Sequence, residues 1–521
     1  MVISNIKYLV FSVLLLTGWE ISAQNDLVLI SELQFENNQE KSAYFKILNG
    51  EDAYLEALSH HDHFESDSLT IWEQNFQVVL DELKAKTHRR NNNIYLHKVY
   101  KTLHKKYLSQ YKETVDPCDV FSTGVYNCVI ATAIYAMAFE ELQIPYQIKE
   151  TPNHVYLIGK GMNGPVQFET TDPITGYRTF QADFRRIFAK HLLAQKTITK
   201  AEFDEGITEV FNNHYFLGEN VTLQELVGIQ YANEGIEQFE NKAYEEAYES
   251  FEKAYLLYPS EKNTDLLYNT LATRLQNATY QNWSDVVLLS RAARFTSYNI
   301  NFLGVLSDFE KINNYYHLDK GDTAAFKKAY QLIKLGMPIE ERVELDFFYH
   351  YERARVHYNR GDFEEALAFG LTAISFKPTN SEVAMLVLNS FRQFRRSPSP
   401  VILSVTEKVE NLMERYPHIN ENKNFGGLLL DFYLVQMIQA YDAELLENAG
   451  VVRRQFNEML SSNPEYQFDP YIAGRAYASG TYYHYKKGEF QTAHNLLDEG
   501  LKFAPYHGEL INSKSLFKAK I

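Results

Sequence analysis

Hydrophobic residues recur at helical spacing over most of this chain and alternate with polar residues in one short stretch. A period of 3.6 residues predicts helices over 68–84, 94–111 and 128–142, and further helices over 180–225. In the first and third of these helices the predicted buried positions are Ile71, Phe76, Val79, Leu80, Leu83, Val129, Ala133, Ala136, Met137 and Phe139.

Three segments with strand character follow the third helix, over 146–150, 154–158 and 166–172. The segment 159–165 between the last two is rich in Gly and Asn and predicts a hairpin loop. The chain therefore contains a small antiparallel sheet next to a strongly apolar helix, which indicates an α+β domain.

The register of this hairpin decides which side chains share a face. With the loop centred near Met162, paired residues have numbers that sum to 324 or to 326. In either register His154 and Asp172 lie on one face, within reach of an imidazole–carboxylate hydrogen bond. A register one residue away would move Asp172 to the opposite face.

After about residue 225 the pattern becomes helix after helix, and three segments share one spacing. In each, an aromatic residue lies three positions before an Ala, and a Pro follows that Ala by 12 positions. Small residues let two helices approach, the aromatic residue fills the groove beside them, and Pro ends the second helix. The segments contain Gly235, Tyr244, Ala247, Phe251, Ala254 and Pro259; Gly361, Phe363, Ala366, Ala373 and Pro378; Gly488, Phe490, Ala493, Gly500 and Pro505. Residues 262–340 and 381–465 predict degenerate copies of the same unit.

Asn127 and Cys128 precede the apolar helix 128–142 and form the main chemical candidate. Asn is a good N-cap residue, so Cys128 is expected in the first helical turn. There the helix dipole and free backbone N–H groups favour thiolate over thiol, and the Cys128 N–H could donate to an oxyanion. His154 could serve as the base for this thiol, and Asp172 could orient the imidazole.

The order of these residues resembles the transglutaminase-like family, which is related to papain-type cysteine peptidases. The resemblance covers residues 90–180 and includes the LQIP turn at 142–145 and the TDP sequence at 171–173. It implies Cys128 as nucleophile, His154 as general base and acid, and Asp172 as the residue that orients the base. The repeated segments resemble tetratricopeptide repeats, and the combination resembles bacterial proteins that join the two kinds of domain.

Two functions stay open at this point. The first is thiol-dependent acyl transfer or amide hydrolysis on peptide-like substrates, with the repeats presenting a surface to a protein or peptide partner. The second is a catalytically inactive transglutaminase-like scaffold that acts as an assembly or interaction module. Cys118 and Cys128 are the only cysteines, and a disulfide between them would favour the second function.

The first function needs no cofactor and no metal. A His-rich cluster, SHHDHFES, contains His60, His61, Asp62 and His63, and its spacing suits a solvated loop better than a metal site. The formal net charge of -16 over 521 residues disfavours nucleic-acid binding, because no basic surplus or long basic segment offsets phosphates.

The first 23 residues resemble an export signal, with Lys7, a short apolar run and small residues before Gln24. We therefore expect a periplasmic or extracellular protein without a membrane span once the signal is removed. The predicted organisation is a signal peptide over 1–23, a helical extension over 24–89, a transglutaminase-like domain over 90–200, a helical connector over 201–224 and tetratricopeptide-like repeats over 225–521.

Overall fold

The computed structural model describes residues 27–58, 66–85, 92–295 and 304–518. Most of these residues are helical, and a small antiparallel sheet is present. The chain divides into two compact units, with the division after Val305. The predicted start of the repeats near residue 225 therefore lies inside the first unit.

The first unit contains thirteen α-helices and seven strands among the described residues. The helices are α1 (Asn38–Leu48), α2 (Tyr54–Leu58), α3 (Ser66–Lys84), α4 (Asn93–Tyr107), α5 (Asp119–Ser122), α6 (Cys128–Glu141), α7 (Ala182–Ala194), α8 (Lys200–Glu205), α9 (Ile207–Tyr215), α10 (Leu223–Glu240), α11 (Tyr244–Leu257), α12 (Glu261–Leu275) and α13 (Trp283–Ala292). The strands are β1 (Gln110–Tyr111), β2 (Val125–Tyr126), β3 (Tyr146–Thr151), β4 (His154–Gly161), β5 (Gly164–Phe168), β6 (Tyr177–Thr179) and β7 (Glu219–Val221).

Five strands form an antiparallel sheet in the order β6-β5-β4-β3-β7, and β1 pairs with β2 in a separate parallel ribbon. The central strands β3, β4 and β5 match three predicted segments. The short strands β6 and β7 were not predicted, because three residues are too few to show a period of two. The last predicted strand ends at Phe168, four residues earlier than expected.

Helix α6 lies in the core between the sheet and α10. Every residue from Val129 to Phe139 is buried, so this helix has no solvent-facing side. Its apolar composition on all sides is typical of a helix in the centre of a domain. The five burial predictions made for α6 are confirmed. Those for α3 are confirmed except at Ile71, which is 59% exposed while the neighbouring Trp72 is buried.

The β4–β5 hairpin is closed by a two-residue turn, Met162–Asn163, between paired glycines at 161 and 164. Its register pairs Leu157 with Phe168, so paired numbers sum to 325. Both predicted registers are therefore wrong by one residue. The cause is the length of the turn, because a loop of two residues centres the hairpin between two positions and changes the parity of the pairing.

The second unit is built of helices. They are α14 (Val305–Ile312), α15 (Thr323–Gly336), α16 (Arg342–Asn359), α17 (Phe363–Phe376), α18 (Ser381–Arg392), α19 (Ser399–Arg415), α20 (Pro417–Asn420), α21 (Lys423–Asp442), α22 (Leu446–Ser462), α23 (Pro470–Lys486), α24 (Phe490–Phe503) and α25 (Gly508–Lys518), with a π-helix at Asn313–Asp319. Short 3-10 helices lie at Ile339–Glu341 and Gln393–Arg396 in this unit, and at Ile30–Glu32 and Ala293–Phe295 in the first unit.

Four antiparallel helical hairpins share one turn. They are α10–α11 in the first unit and α16–α17, α21–α22 and α23–α24 in the second. In each, a residue at positive φ lies two positions after the end of the first helix, namely Lys242, Gly361, Glu444 or Gly488. Backbone bonds of the Schellman type close the turn, such as Gly361 N to Tyr358 O at 3.0 Å and Asp362 N to His357 O at 2.9 Å.

Three of these hairpins contain the segments that share the repeated spacing. Ala247, Ala366 and Ala493 are fully buried where their helices meet. At Gly235 an added Cβ would lie 2.5 Å from the Phe251 ring, so the glycine is required by the close approach of α10 and α11. The hairpin α21–α22 lies in the region where degenerate units were predicted.

Candidate active site

Cys128 is the first residue of α6, as predicted. The Asn127 side chain caps the helix by accepting a hydrogen bond from the Ile130 N–H at 2.9 Å. The first-turn N–H groups of Cys128 and Val129 have no carbonyl partner within the helix. Cys128 therefore lies at the positive end of the helix dipole, where these two N–H groups can donate hydrogen bonds to an oxyanion.

His154 begins β4 and is partly exposed, and its imidazole has two polar neighbours. Nε2 lies 2.5 Å from Glu169 Oε1. Cys128 is the other neighbour that acts on the charge of the ring. Hydrogen bonds to Cys128 and then to Glu169 raise the pKa of His154 to about 10, against the opposing effect of burial. The two neighbours therefore favour the protonated form of the ring.

Asp172 does not contact His154, in contrast to the sequence prediction. It lies beyond β5, and its carboxylate accepts hydrogen bonds from the backbone N–H groups of Ile174 at 3.0 Å and Thr175 at 2.9 Å, and from the Thr175 hydroxyl. These bonds lower the pKa of Asp172, the Thr175 hydroxyl contributing most. Asp172 thus stabilises a turn, and Glu169 occupies the position beside His154 that was predicted for Asp172.

The one-residue difference in register accounts for this exchange. Extending the observed pairing by one residue places Glu169 opposite Tyr156, on the face that also carries His154. Had the glycine-flanked loop been read as a two-residue turn, the sequence would have indicated Glu169 as the carboxylate on this face.

The segment after β5 holds Glu169 in place. The Thr171 hydroxyl donates to the same carboxylate oxygen that contacts His154, at 3.1 Å. The Glu169 backbone N–H donates to the Gly176 carbonyl at 2.8 Å, and the Tyr100 hydroxyl from α4 donates to the Glu169 carbonyl at 2.9 Å. The carboxylate is therefore positioned by both side-chain and backbone contacts.

Helix α10 also reaches the site, through the N-cap of α6. The Asn127 amide donates to Gln230 Oε1 at 3.2 Å, and the Gln230 amide donates to Glu234 Oε1 at 3.1 Å. Asn127 and Gln230 are both buried. This contact fixes which end of the Asn127 amide faces the helix terminus, and sequence analysis missed Gln230 because it lies 103 residues further along the chain.

The two cysteines are free, and Cys118 is buried, with Sγ 3.8 Å from the Leu58 carbonyl. Tyr111, at the end of β1, is 44% exposed, and burial together with the negative charges of Cys128, Glu113 and Glu169 raises its pKa. Cys128 is itself partly exposed, in contrast to Cys118.

The His-rich cluster at 60–63 and the predicted signal at 1–23 lie outside the described residues. Within the described ranges, no helix is long and apolar enough to cross a membrane. Neither the protein-family models nor the curated proteins compared with this chain give a match.

Proposed function

We propose that this protein is an exported thiol-dependent acyltransferase or amide hydrolase with a transglutaminase-like catalytic domain and tetratricopeptide-like repeats. Two observations support the proposal: His154 Nε2 lies 2.5 Å from the Glu169 carboxylate, and Cys128 at the start of α6 is the group that does most to raise the pKa of this imidazole. Thiol, imidazole and carboxylate in this order form the unit that activates a cysteine nucleophile.

The reaction begins with attack of the Cys128 sulfur on an amide carbonyl carbon. The N–H groups at the start of α6 donate hydrogen bonds to the developing oxyanion. The His154 imidazolium then protonates the leaving amine as the C–N bond breaks, which leaves a thioester and a neutral imidazole. Water or an amine attacks the thioester carbon, His154 removes its proton, and cleavage of the C–S bond restores the free sulfur.

Glu169 takes the role of the orienting carboxylate in this proposal. Its oxygen holds Nε2, which turns Nδ1 towards the sulfur and stabilises the positive ring. Asp172 is assigned no catalytic step.

Alkylation of the purified mature chain with iodoacetamide tests the proposal. We expect one fast-reacting cysteine, located to Cys128 by peptide mass spectrometry, because Cys118 is buried. Cys128→Ser should abolish the fast phase, and His154→Ala should slow it by roughly tenfold or more at pH 6.5, because the imidazole that assists the sulfur is lost; a tenfold change corresponds to about 1.4 kcal/mol. Equal rates in the wild type and His154→Ala at every pH would contradict the proposal.

The second candidate is a binding module without catalysis, and one feature of the second unit favours it. Helices α19, α21 and α22 line a cavity of about 420 Å³. Exposed Leu403, Leu445 and Val451 lie beside the amides of Gln436 and Gln455, a mixture suited to a peptide. Two results together would favour this candidate. Cys128 would be unreactive, and a bound partner would be lost in Leu445→Asp but retained in Cys128→Ser.

A further inference from the structure

A basic segment without carboxylates interrupts this acidic chain. Between Glu82 and Glu113 there is no carboxylate, while the net charge of the whole chain is -16. The basic residues of the segment are Lys84, Lys86, Arg89, Arg90, Lys98, Lys101, Lys105, Lys106 and Lys112. Lys86, Arg89 and Arg90 lie outside the described residues, and Lys84 pairs with Glu141 at 2.7 Å.

Four of these lysines form a row on α4. The buried side of the helix carries Leu96, Val99, Tyr100 and Leu103. Lys98, Lys101 and Lys105 recur at i, i+3 and i+7 on the other side, with Lys106 beside them, and all four are exposed. In the part of the chain that the structure describes, none of the four forms an ion pair with a carboxylate.

We propose that this lysine row, defined as Lys98, Lys101, Lys105 and Lys106, docks an acidic segment of a polypeptide. The row is linear, because Lys98 and Lys105 are seven residues apart and span about 10 Å along the helix axis. That span matches about three residues of an extended chain. Asp or Glu side chains at such spacing can meet successive ammonium groups.

The shape and charge of the protein favour a peptide over the two other anionic partners. A membrane surface would need basic groups spread over a plane, whereas four of the five described lysines of this segment that form no ion pair follow one helix, the fifth being Lys112. A nucleic acid carries a phosphate at every nucleotide, so the negative net charge of the remainder of the chain would repel the phosphates that extend beyond the row, whereas a polypeptide can carry its carboxylates only where the row lies. Ile94, which is 80% exposed at the start of α4, adds one apolar contact for a peptide.

Fluorescence anisotropy with a labelled fifteen-residue glutamate peptide tests the proposal on the full chain. A glutamine peptide of equal length is the matched probe. The triple variant Lys98→Glu, Lys101→Glu and Lys105→Glu should weaken binding of the glutamate peptide at least about tenfold at low salt. The control variant Lys327→Glu, Lys408→Glu and Lys423→Glu changes the net charge equally at exposed lysines elsewhere and should have a small effect.

Each outcome of this experiment counts for or against the lysine row. Binding of the glutamate peptide that falls with salt and is lost only in the α4 variant supports the proposal. Equal loss in both variants, or equal binding of the glutamine peptide, overturns it. Binding to phosphatidylglycerol vesicles without binding to the glutamate peptide would also overturn it, in favour of a lipid surface. Circular dichroism of both variants establishes that they remain folded. The assay measures peptide binding and does not depend on the reactivity of Cys128. Repeating it with Cys128→Ser tests this independence directly.

Discussion

The β4–β5 hairpin and the four helical hairpins are each two elements joined by a short turn, but they respond differently to their turn residues. In the helical hairpins the left-handed position is occupied by Gly361 and Gly488 and also by Lys242 and Glu444, and the same turn forms. In the β-hairpin a change of one residue in the turn would exchange the two faces of the strand that leads to Glu169.

The difference follows from the geometry of the two elements. A helix buries a wide stripe, so neighbouring positions can substitute for each other in packing. A strand alternates its side chains strictly, so a carboxylate is either on the face of His154 or on the opposite one. Chemistry that depends on one face of a sheet is therefore more sensitive to its turn than the packing of the repeated helices.

Replacing a turn glycine in each kind of hairpin should give the largest difference in stability. Gly164 has φ +125°, and a Cβ there would collide with the guanidinium of Arg185, which donates to the Asn163 carbonyl at 2.7 Å. We expect Gly164→Ala to destabilise the β-hairpin by roughly 2–4 kcal/mol. Gly361→Ala, at φ +80° with open space around it, should cost about 1–2 kcal/mol. Hydrogen exchange of the β4–β5 and α16–α17 amides measures both, and equal costs would contradict the comparison.

Exchanging the two carboxylates for amides separates the observed site from the predicted one. Glu169→Gln should move the pKa of His154 down from about 10 towards its ordinary value, because a stabilising charge is removed. The loss should slow alkylation of Cys128 by roughly tenfold, which corresponds to about 1.4 kcal/mol. Titration of ¹³C-labelled histidine by NMR, with the His154 signal assigned by His154→Gln, reports the pKa directly.

Asp172→Asn is the matched control for this exchange. Its carboxylate is bound to the turn around Thr175, so the titration of His154 should remain close to that of the wild type. A larger effect of Asp172→Asn than of Glu169→Gln would restore the arrangement predicted from the sequence.

Stability should also depend on pH through His154. Its pKa is raised in the folded protein, so its contribution is complete below its unfolded value near 6.5 and is lost as the pH rises towards about 10. The wild type should therefore lose stability over this interval relative to His154→Gln. Urea unfolding at pH 6, 8 and 10, followed through the first unit, measures this loss, and parallel profiles for the two proteins would count against a protonated ring.

The contact between α10 and α6 should have an intermediate effect. Gln230→Leu removes the partner of the buried Asn127 amide and should destabilise the start of α6 by about 1–2 kcal/mol. Slower alkylation of Cys128, with an unchanged alkylation rate of Cys118 in the unfolded chain, would show that Cys128 is no longer held in place. Glu234→Gln retains a side chain that can accept the Gln230 amide bond and serves as the control.

The smallest effect is expected at a helical turn that lacks glycine. Lys242 adopts φ +64°, a conformation that costs a side-chain-bearing residue about 1 kcal/mol. Lys242→Gly should therefore stabilise the α10–α11 hairpin by roughly 0.5–1 kcal/mol, measured by hydrogen exchange at Phe239 and its neighbours. A destabilisation would show that the conformational freedom of glycine in the unfolded chain outweighs the relief of strain.

Much of the local structure could be predicted from residue patterns. The N-cap at Asn127, the buried positions of α6 and the turn of the α16–α17 hairpin each depend on neighbours within a few residues. The carboxylate beside His154 was harder to predict. The length of the β4–β5 turn decides whether Glu169 or Asp172 lies on the face of the imidazole. The unit boundary after Val305 was not visible at all, since α10 and the helices after it resemble the later repeats in composition.

Periodicity and capping along the chain were sufficient to establish a reactive cysteine candidate at a helix start, a nearby histidine strand and a series of helical pairs. The tertiary structure was needed to select Glu169 over Asp172 and to bring Gln230 to Asn127. Local elements arise from contacts over three or four residues, which a sequence displays directly. The pairing of distant side chains depends on strand parity and on the packing of α10 against α6, and these are properties of the folded chain alone.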